Sequence, residues 1–158
     1  MEGRNGQFRV KKAYSLLVSS ITVVFPKSNI WVDRVPTKIA FFAWKAAWGK
    51  MLTLDRLQKR GWQLPNCYFL CGCEEETVNH ILIHCIVARV LWDIVLGSFG
   101  AQWVFLETIK EVLFSWRGSF VAKKWKKIWK PIPLYIFWTV WKERNKLAFR
   151  GGVSNSEA

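Results

Sequence analysis

The sequence predicts a mainly α-helical domain that carries a loop rich in cysteine and histidine and ends in a basic helical extension. Three observations support this class. Apolar residues recur at helical spacing along most of the chain, and prolines and glycines separate these segments. In addition, 51% of the 158 residues are hydrophobic, including 11 Trp and 11 Phe. A chain of this length and composition can bury a core and is too hydrophobic to be disordered throughout.

The first third of the chain predicts an arm followed by short helices. Residues 1–9 are polar and predict a flexible arm, residues 10–19 have one apolar helical face, and β-branched residues 21–25 predict an extended segment. Pro36 and Thr37 mark the start of a largely apolar, buried helix that stops at Gly49. Thr53 is the predicted N-cap of a helix over 54–60.

The remaining helices are predicted from similar boundary signals. Thr77 caps a helix through His80, a longer helix over 87–96 ends at a glycine, and a further helix spans 108–116. The last segment, 121–149, should be kinked or split at Pro131 and Pro133. We therefore predict a domain over residues 10–118, a basic and aromatic helical extension over 119–150, and a disordered tail over 151–158.

All four cysteines and both histidines lie within nineteen residues, from Cys67 to Cys85. Such clustering indicates either a disulfide framework or a tetrahedral metal site, and zinc accounts for the histidines as well as the thiols. The pair spacings favour a structural zinc site formed by Cys67, Cys71, His80 and Cys85, with every ligand position filled by protein atoms. Two alternates remain open, Cys73 and His84.

The second functional signal is positive charge, with a formal net charge of +13 and a pI near 9.9. Such an excess usually indicates a polyanionic partner, most often nucleic acid and less often an anionic membrane surface. If residues 123–132 form one helix, five lysines share one face and the opposite side carries Trp125, Ile128, Trp129 and Ile132. This arrangement would place the tryptophans in the core or against another domain. The lysines expected to contact phosphates are Lys123, Lys124, Lys126, Lys127 and Lys130.

Four further basic residues, Lys142, Arg144, Lys146 and Arg150, are expected to extend this surface, with only Glu143 opposing them. The alternative interpretation is that the lysine face is simply the solvated side of a packed helix. Sequence alone leaves both interpretations open.

Five blocks of the sequence resemble the zinc-binding domain that follows the reverse transcriptase in plant non-LTR (LINE-like) retrotransposons. They are FRVKKAY at 8–14, IW at 30–31 with VPTKIAFFAW at 35–44, TLDRL at 53–57 with RG at 60–61, ET at 76–77 with His80, Cys85 and LW at 91–92, and WTVWKERN at 138–145. The resemblance implies zinc as the metal and a reverse transcriptase polymerase domain upstream.

One departure from the family pattern concerns the first ligand pair, which is usually Cys-x-x-Cys ending at the position of Cys71. Here Tyr68 stands where the first cysteine of that pair would be, and Cys67 lies one residue earlier. Cys67 is expected to take its place, or else Cys73 or His84 completes the site. A decayed site in a mobile-element copy is the further alternative.

The sequence predicts no catalytic residues. It contains no Asp-Asp pair for two-metal phosphoryl transfer, and its aspartates are scattered at Asp33, Asp55 and Asp93. The N-terminus lacks the apolar region of a signal peptide and no apolar stretch is long enough to span a bilayer, so a nuclear or cytoplasmic location without membrane partners is expected. Two functions follow: a zinc-stabilised module that binds RNA or DNA, or a scaffold that docks on the upstream polymerase.

Overall fold

The computed structural model describes residues 25–72, 74–118 and 120–151. Within these ranges the chain is mainly helical and contains no β-strand, so the predicted fold class is confirmed. The expectations for the arm at 1–9, the helix at 10–19, most of the extended segment at 21–25 and the tail after residue 151 lie outside the described residues.

Seven α-helices and two helical turns of other types follow one another in the described ranges. The α-helices are α1 (Lys27–Ile30), α2 (Thr37–Ala47), α3 (Leu54–Lys59), α4 (Ile86–Ser98), α5 (Ile109–Ser115), α6 (Lys126–Trp129) and α7 (Ile132–Gly151). A π-helical turn, His80–His84, precedes α4, and a 3-10 turn, Lys123–Trp125, precedes α6.

Most of the predicted helix boundaries occur where the sequence places them, although the side chain of Thr53, before α3, makes no capping hydrogen bond. α2 begins directly after Pro36 and is followed by Gly49 at φ 60°, a conformation that favours glycine. α5 starts with a capping box in which the Thr108 hydroxyl accepts the Glu111 N–H (3.2 Å) and the Glu111 carboxylate accepts the Thr108 N–H (3.0 Å). The helices predicted near 37–48, 54–60, 87–96 and 108–116 are thus confirmed within a few residues.

The C-terminal segment is split at its prolines, as predicted. α7 begins after Pro131 and carries Pro133 in its first turn, where the missing N–H has no helical partner to lose. Because the preceding residues form a 3-10 turn and a single α-helical turn, their side chains do not follow one regular helical wheel. Trp125 and Ile128 are 43% and 49% exposed, whereas Trp129 is buried. Of the two tryptophans only Trp129 therefore lies in the core, and packing of Trp125 against another domain stays a prediction.

Aromatic side chains from distant parts of the chain form the centre of the core. Trp116 and Trp129 stack face to face with ring centroids 4.6 Å apart, and Trp92 contacts both Trp116 (5.6 Å) and Phe137 (5.8 Å). The indole N–H of Trp92 donates to the carbonyl of Leu82 (3.0 Å), which ties α4 to the π-helical turn. Residues on both sides of position 118 therefore contribute to the same core.

α7 packs along α2 through a second aromatic contact. Phe42 lies edge-on to Trp138, with centroids 5.4 Å apart, and at a tilt to Trp141, with centroids 6.0 Å apart. Even α7, the longest helix of the described ranges, is not apolar enough over its length to cross a bilayer, and neither is any other helix there.

Candidate metal centre and basic surface

A tight turn after the loop at 62–67 presents the first candidate ligand. The N–H of Tyr68 donates to the Glu74 carbonyl (2.9 Å), and the N–H of Gly72 donates back to the Tyr68 carbonyl (2.7 Å). Gly72 has φ 65°, which a residue with a side chain adopts only with strain. Tyr68 is fully buried beneath this turn, so the chain is held in a loop that directs Cys71 towards the helical segment behind it.

The π-helical turn provides the other two candidate ligands. The Thr77 hydroxyl accepts the N–H of His80 (3.1 Å), so the capping role predicted for Thr77 is confirmed. The N–H of Cys85 donates to the carbonyl of His80 (2.7 Å), an i to i+5 bond that closes the wide turn. Because His80 and Cys85 are separated by one such turn, their side chains lie on the same side of the chain.

These segments bring together three of the predicted ligands. Donor atoms of Cys71, His80 and Cys85 all lie within 4.8 Å of one another, and Cys71 Sγ is 3.3 Å from His80 Nε2. His80 and Cys85 are buried, and Cys71 is half-buried. Cys67 is exposed and lies outside this group, so its place in the ligand set stays a prediction.

The two alternates differ in what the structure says about them. His84 is exposed, and its Nε2 donates to the carbonyl of Glu107 (2.9 Å), because a carbonyl oxygen can only accept. It therefore has a partner 23 residues along the chain and is not in the three-residue group. Cys73 falls outside the described residues.

A carboxylate lies behind the histidine of the cluster. Oε2 of Glu74 is 3.0 Å from Nδ1 of His80, an ion-pair distance without hydrogen-bond geometry. The Glu74 side chain is 68% exposed. A carboxylate beside Nδ1, with Nε2 facing Cys71, is the arrangement found behind many metal-binding histidines.

Burial opposes ionisation of the Cys85 thiol in this cluster. Burial raises the pKa of the Cys85 thiol, while the N–H groups of Val87 and Ala88 at the start of α4 act in the opposite direction. Burial likewise raises the pKa of Tyr68, with a further contribution from nearby Cys85. The Tyr68 hydroxyl has no hydrogen-bond partner within the described ranges. Two thiols and an imidazole in this geometry are a donor set that suits zinc.

A family model described as zinc-binding in reverse transcriptase matches residues 8–92, more than half of the chain, and the match contains all three clustered donors. The chain belongs to this family of reverse transcriptase zinc-binding domains. No curated protein and no solved structure shows significant similarity to it.

In this zinc-binding domain, a buried ion pair joins α7 to the loop that carries Cys71. We call this loop, residues 67–79, the metal loop. Glu76 is fully buried, and its Oε2 accepts Nε of Arg144 (3.2 Å) while its Oε1 contacts Nη2 of the same guanidinium. Oε1 also accepts the N–H of Leu54 (3.0 Å), and the N–H of Glu76 donates to Oδ1 of Asn66 (2.8 Å). The expectation that Arg144 extends the basic surface is wrong, because its charge is paired with Glu76.

The sequence did not predict the pair of Glu76 and Arg144, because these residues are 68 positions apart in the chain. Glu76 is the third of three consecutive glutamates, and local sequence does not distinguish it from its solvated neighbours. The only signal was indirect, since Glu76 and Arg144 each belong to a block that resembles the family.

The zinc-binding domain also displays the predicted lysines on its surface. Lys123, Lys124, Lys126, Lys127 and Lys130 are all exposed, and the segment 120–130 contains no acidic residue. Beyond the prolines, Lys142, Lys146 and Arg150 are exposed, although Lys146 pairs with Glu143 (2.6 Å). Trp125 is exposed beside Lys124, whose Nζ lies 5.2 Å from the ring centroid.

Proposed function

We propose that this chain is a non-catalytic zinc-binding module of a plant LINE-like retrotransposon reverse transcriptase. In this proposal Cys71, His80, Cys85 and a fourth ligand hold zinc, and the exposed lysines hold the phosphates of RNA or DNA. The observation that carries the proposal is the convergence of three soft donors from two separate segments within 4.8 Å. Family membership supports a zinc-binding domain and not the polymerase domain itself.

The residues of the site would fix the metal loop against the helices. Zinc supplies four-coordinate bonds whose free energy is coupled to folding. Cys71 belongs to the loop, whereas His80 and Cys85 belong to the π-helical turn and the start of α4, so shared coordination would stop the loop from separating. Glu74 would orient His80, and the N–H groups at the start of α4 would stabilise the Cys85 thiolate. With a fourth protein ligand every coordination position would be filled, so the proposed role is structural.

Zinc stoichiometry of single variants tests the ligand set. We expect Cys71→Ser, His80→Ala and Cys85→Ser to lose the metal, and His84→Ala to keep one zinc because its ring is bonded to Glu107. Parallel measurements on Cys67→Ser and Cys73→Ser identify the fourth ligand, with Cys67 the predicted one. A reduced, folded wild-type protein that contains no zinc and does not respond to chelator would disprove the metal site.

Nucleic-acid binding is proposed from charge and placement. Five exposed lysines within eight residues, with no acidic residue among them, form a compact cationic strip that can contact successive phosphates. Contacts of this kind position a nucleic acid without reading its sequence. We therefore expect affinity to fall steeply between about 50 and about 200 mM salt and to depend weakly on base composition.

Substitution of the strip tests this assignment. Replacing all five lysines by Gln should reduce the slope of log K against log salt on single-stranded nucleic acid by about 3.5, since each phosphate contact contributes about 0.7. A matched control removes five exposed cations elsewhere: Lys27, Lys38, Lys50, Lys59 and Arg60. An equal reduction of this slope in both variants would indicate general electrostatic attraction and not a binding strip.

The second candidate function is docking on the polymerase. It is favoured by large apolar side chains on the surface, among them Trp62 at 62% and Phe41 at 51% exposure. Aggregation of the isolated domain, relieved by co-expression with an upstream polymerase, together with absence of nucleic-acid binding at low salt, would favour docking. If neither activity appears, the chain is a decayed fragment without a function of its own.

A further inference from the structure

An open cleft of about 460 Å³ lies beside the lysine strip, between the start of α1, the end of α5 and α6. Its cationic residues are Arg117, Lys126 and Lys130, and its aromatic residues include Phe25, Phe114 and Trp129. No acidic residue occurs among the described residues that line it. The volume is within the range of about 300–1,000 Å³ that is typical of pockets that enclose a ligand group.

The walls of this cleft are held in place by packing and hydrogen bonds. Its floor is the stacked pair of Trp116 and Trp129, whose planes differ by 9°, and the Trp116 N–H donates to the Trp129 carbonyl (3.0 Å). The Asn29 amide of α1 donates to the Leu113 carbonyl of α5 (2.7 Å), which joins the two sides. A preformed cleft loses little conformational entropy when it binds a ligand.

One aromatic ring of the cleft remains accessible. Phe114 is 44% exposed, whereas Trp116 and Trp129 are 3% and 2% exposed. Phe114 therefore offers a face at the cleft wall, and Lys126 and Lys130 project from the neighbouring helix and turn. An aromatic face with cations beside it is the combination that binds single-stranded nucleic acid, because a base stacks on the ring while its phosphates contact the cations.

We infer that this cleft binds one unstacked nucleotide of a single strand, with the base against Phe114 and the flanking phosphates on Lys126, Lys130 and Arg117. This inference rests on the proposed nucleic-acid binding, since Lys126 and Lys130 belong to both the strip and the cleft. The cleft adds a preference for single strands, which phosphate contacts along the strip do not provide. Phosphate contact alone favours a duplex, whose charge density is higher, whereas a base can enter the cleft only from a strand whose bases are free.

Four nucleic-acid probes of equal length test the inference with the zinc-loaded protein: an oligonucleotide in DNA form, the same sequence in RNA form, the corresponding duplex, and an abasic oligomer. We expect either single strand to bind more tightly than the duplex at equal salt, and the abasic oligomer to bind about tenfold more weakly than the DNA strand. Preference between the DNA and RNA strands identifies which of the two nucleic acids is bound, and either result supports the inference.

Phe114→Leu keeps an apolar side chain but removes the aromatic face. It should lose about tenfold in affinity for the single strands and leave binding of the abasic oligomer unchanged. The control is Phe41→Leu, which alters an aromatic residue of similar exposure (51%) outside the cleft and should bind as wild type does. Unchanged thermal unfolding of both variants excludes a folding defect.

The outcomes separate the two proposals. The cleft inference is overturned if Phe114→Leu binds single strands as tightly as the wild type, or if the abasic oligomer binds as tightly as the intact strand. Either result leaves the proposal of lysine-dependent binding standing. If the wild-type protein binds no probe at low salt, the proposed nucleic-acid function fails and the cleft inference fails with it.

Discussion

Replacing Arg144 by Met should destabilise the protein more than any other single charge removal on α7. Glu76, its partner, is fully buried, and the Arg144 side chain is only 12% exposed. Without the guanidinium, the Glu76 carboxylate keeps only the N–H of Leu54 (3.0 Å) among the hydrogen bonds described. Met retains the aliphatic length of the side chain but loses both the charge pair and the contact of the guanidinium with the Trp141 ring, whose centroid lies 5.1 Å from Cζ.

The expected cost is about 3–5 kcal/mol, the range for leaving one member of a buried ion pair without its partner. Since the free energy of unfolding of a typical domain is about 5–15 kcal/mol, this is a large fraction of the total. At about 2–4 °C per kcal/mol for a chain of this length, the midpoint of thermal unfolding should fall by about 6–20 °C. An exposed surface ion pair would contribute no more than about 1 kcal/mol.

Urea unfolding of the zinc-loaded protein, followed by tryptophan fluorescence, measures this effect. The double variant Glu76→Gln with Arg144→Met removes the buried charge as well, and should therefore be more stable than the sum of the two single changes predicts. Lys142→Met, an exposed cation two residues away on the same helix, should stay within about 0.5 kcal/mol of wild type. An Arg144→Met variant within about 1 kcal/mol of wild type, or strict additivity in the cycle, would refute the argument.

Two further predictions concern the metal site and the aromatic core. Glu74→Ala should weaken zinc binding by about tenfold, because it removes the carboxylate beside His80 Nδ1. The expected effect is at the lower end of the range for such residues, since this carboxylate is 68% exposed. Competition with a chromophoric chelator measures the zinc affinity, and an unchanged affinity would show that Glu74 does not orient the ring. Gly118→Ala should destabilise the fold by about 1–3 kcal/mol, because its Cβ would lie 2.9 Å from Cδ1 of the buried Trp129 ring. Gly97→Ala, whose Cβ would meet nothing within 4 Å, is the control and should be neutral or stabilising in the same denaturation assay.

Local sequence signals predicted the helices and singled out Cys71, His80 and Cys85, which the structure brings together. Helix boundaries depend on residues next to them in the chain, such as Pro36 before α2 and Thr108 before α5, so they can be read without knowledge of the fold. The spacing of five between His80 and Cys85 correctly suggested a pair on one side of a helical turn, although not that the turn is π-helical. Features that depend on residues close together in the chain, such as helix ends and the spacing of His80 and Cys85, were therefore predictable.

Long-range pairing and irregular geometry were not predictable in this way. Whether Arg144 faces solvent depends on where Glu76 lies, and those residues come together only after α7 packs against the rest of the domain. The lysine segment was treated as a regular helix, but a 3-10 turn and the prolines that follow change the direction of successive side chains. Trp125 and Ile128 are consequently exposed while Trp129 is buried, a difference that a regular helical wheel does not predict.

The family match ends at Trp92, yet the contacts of the matched region continue beyond it. Trp92 packs on Phe137, and Glu76 pairs with Arg144, so both residues would lose buried partners in a fragment that stopped at residue 92. Because the free energy of metal binding is coupled to folding, a loop that must also be ordered on binding holds its metal more weakly. Arg144→Met should therefore lower the apparent zinc affinity as well as the stability, although the ion-pair partner of Arg144 is Glu76 and not a candidate ligand. Zinc affinity that is unchanged in Arg144→Met would mean that the metal loop folds independently of α7.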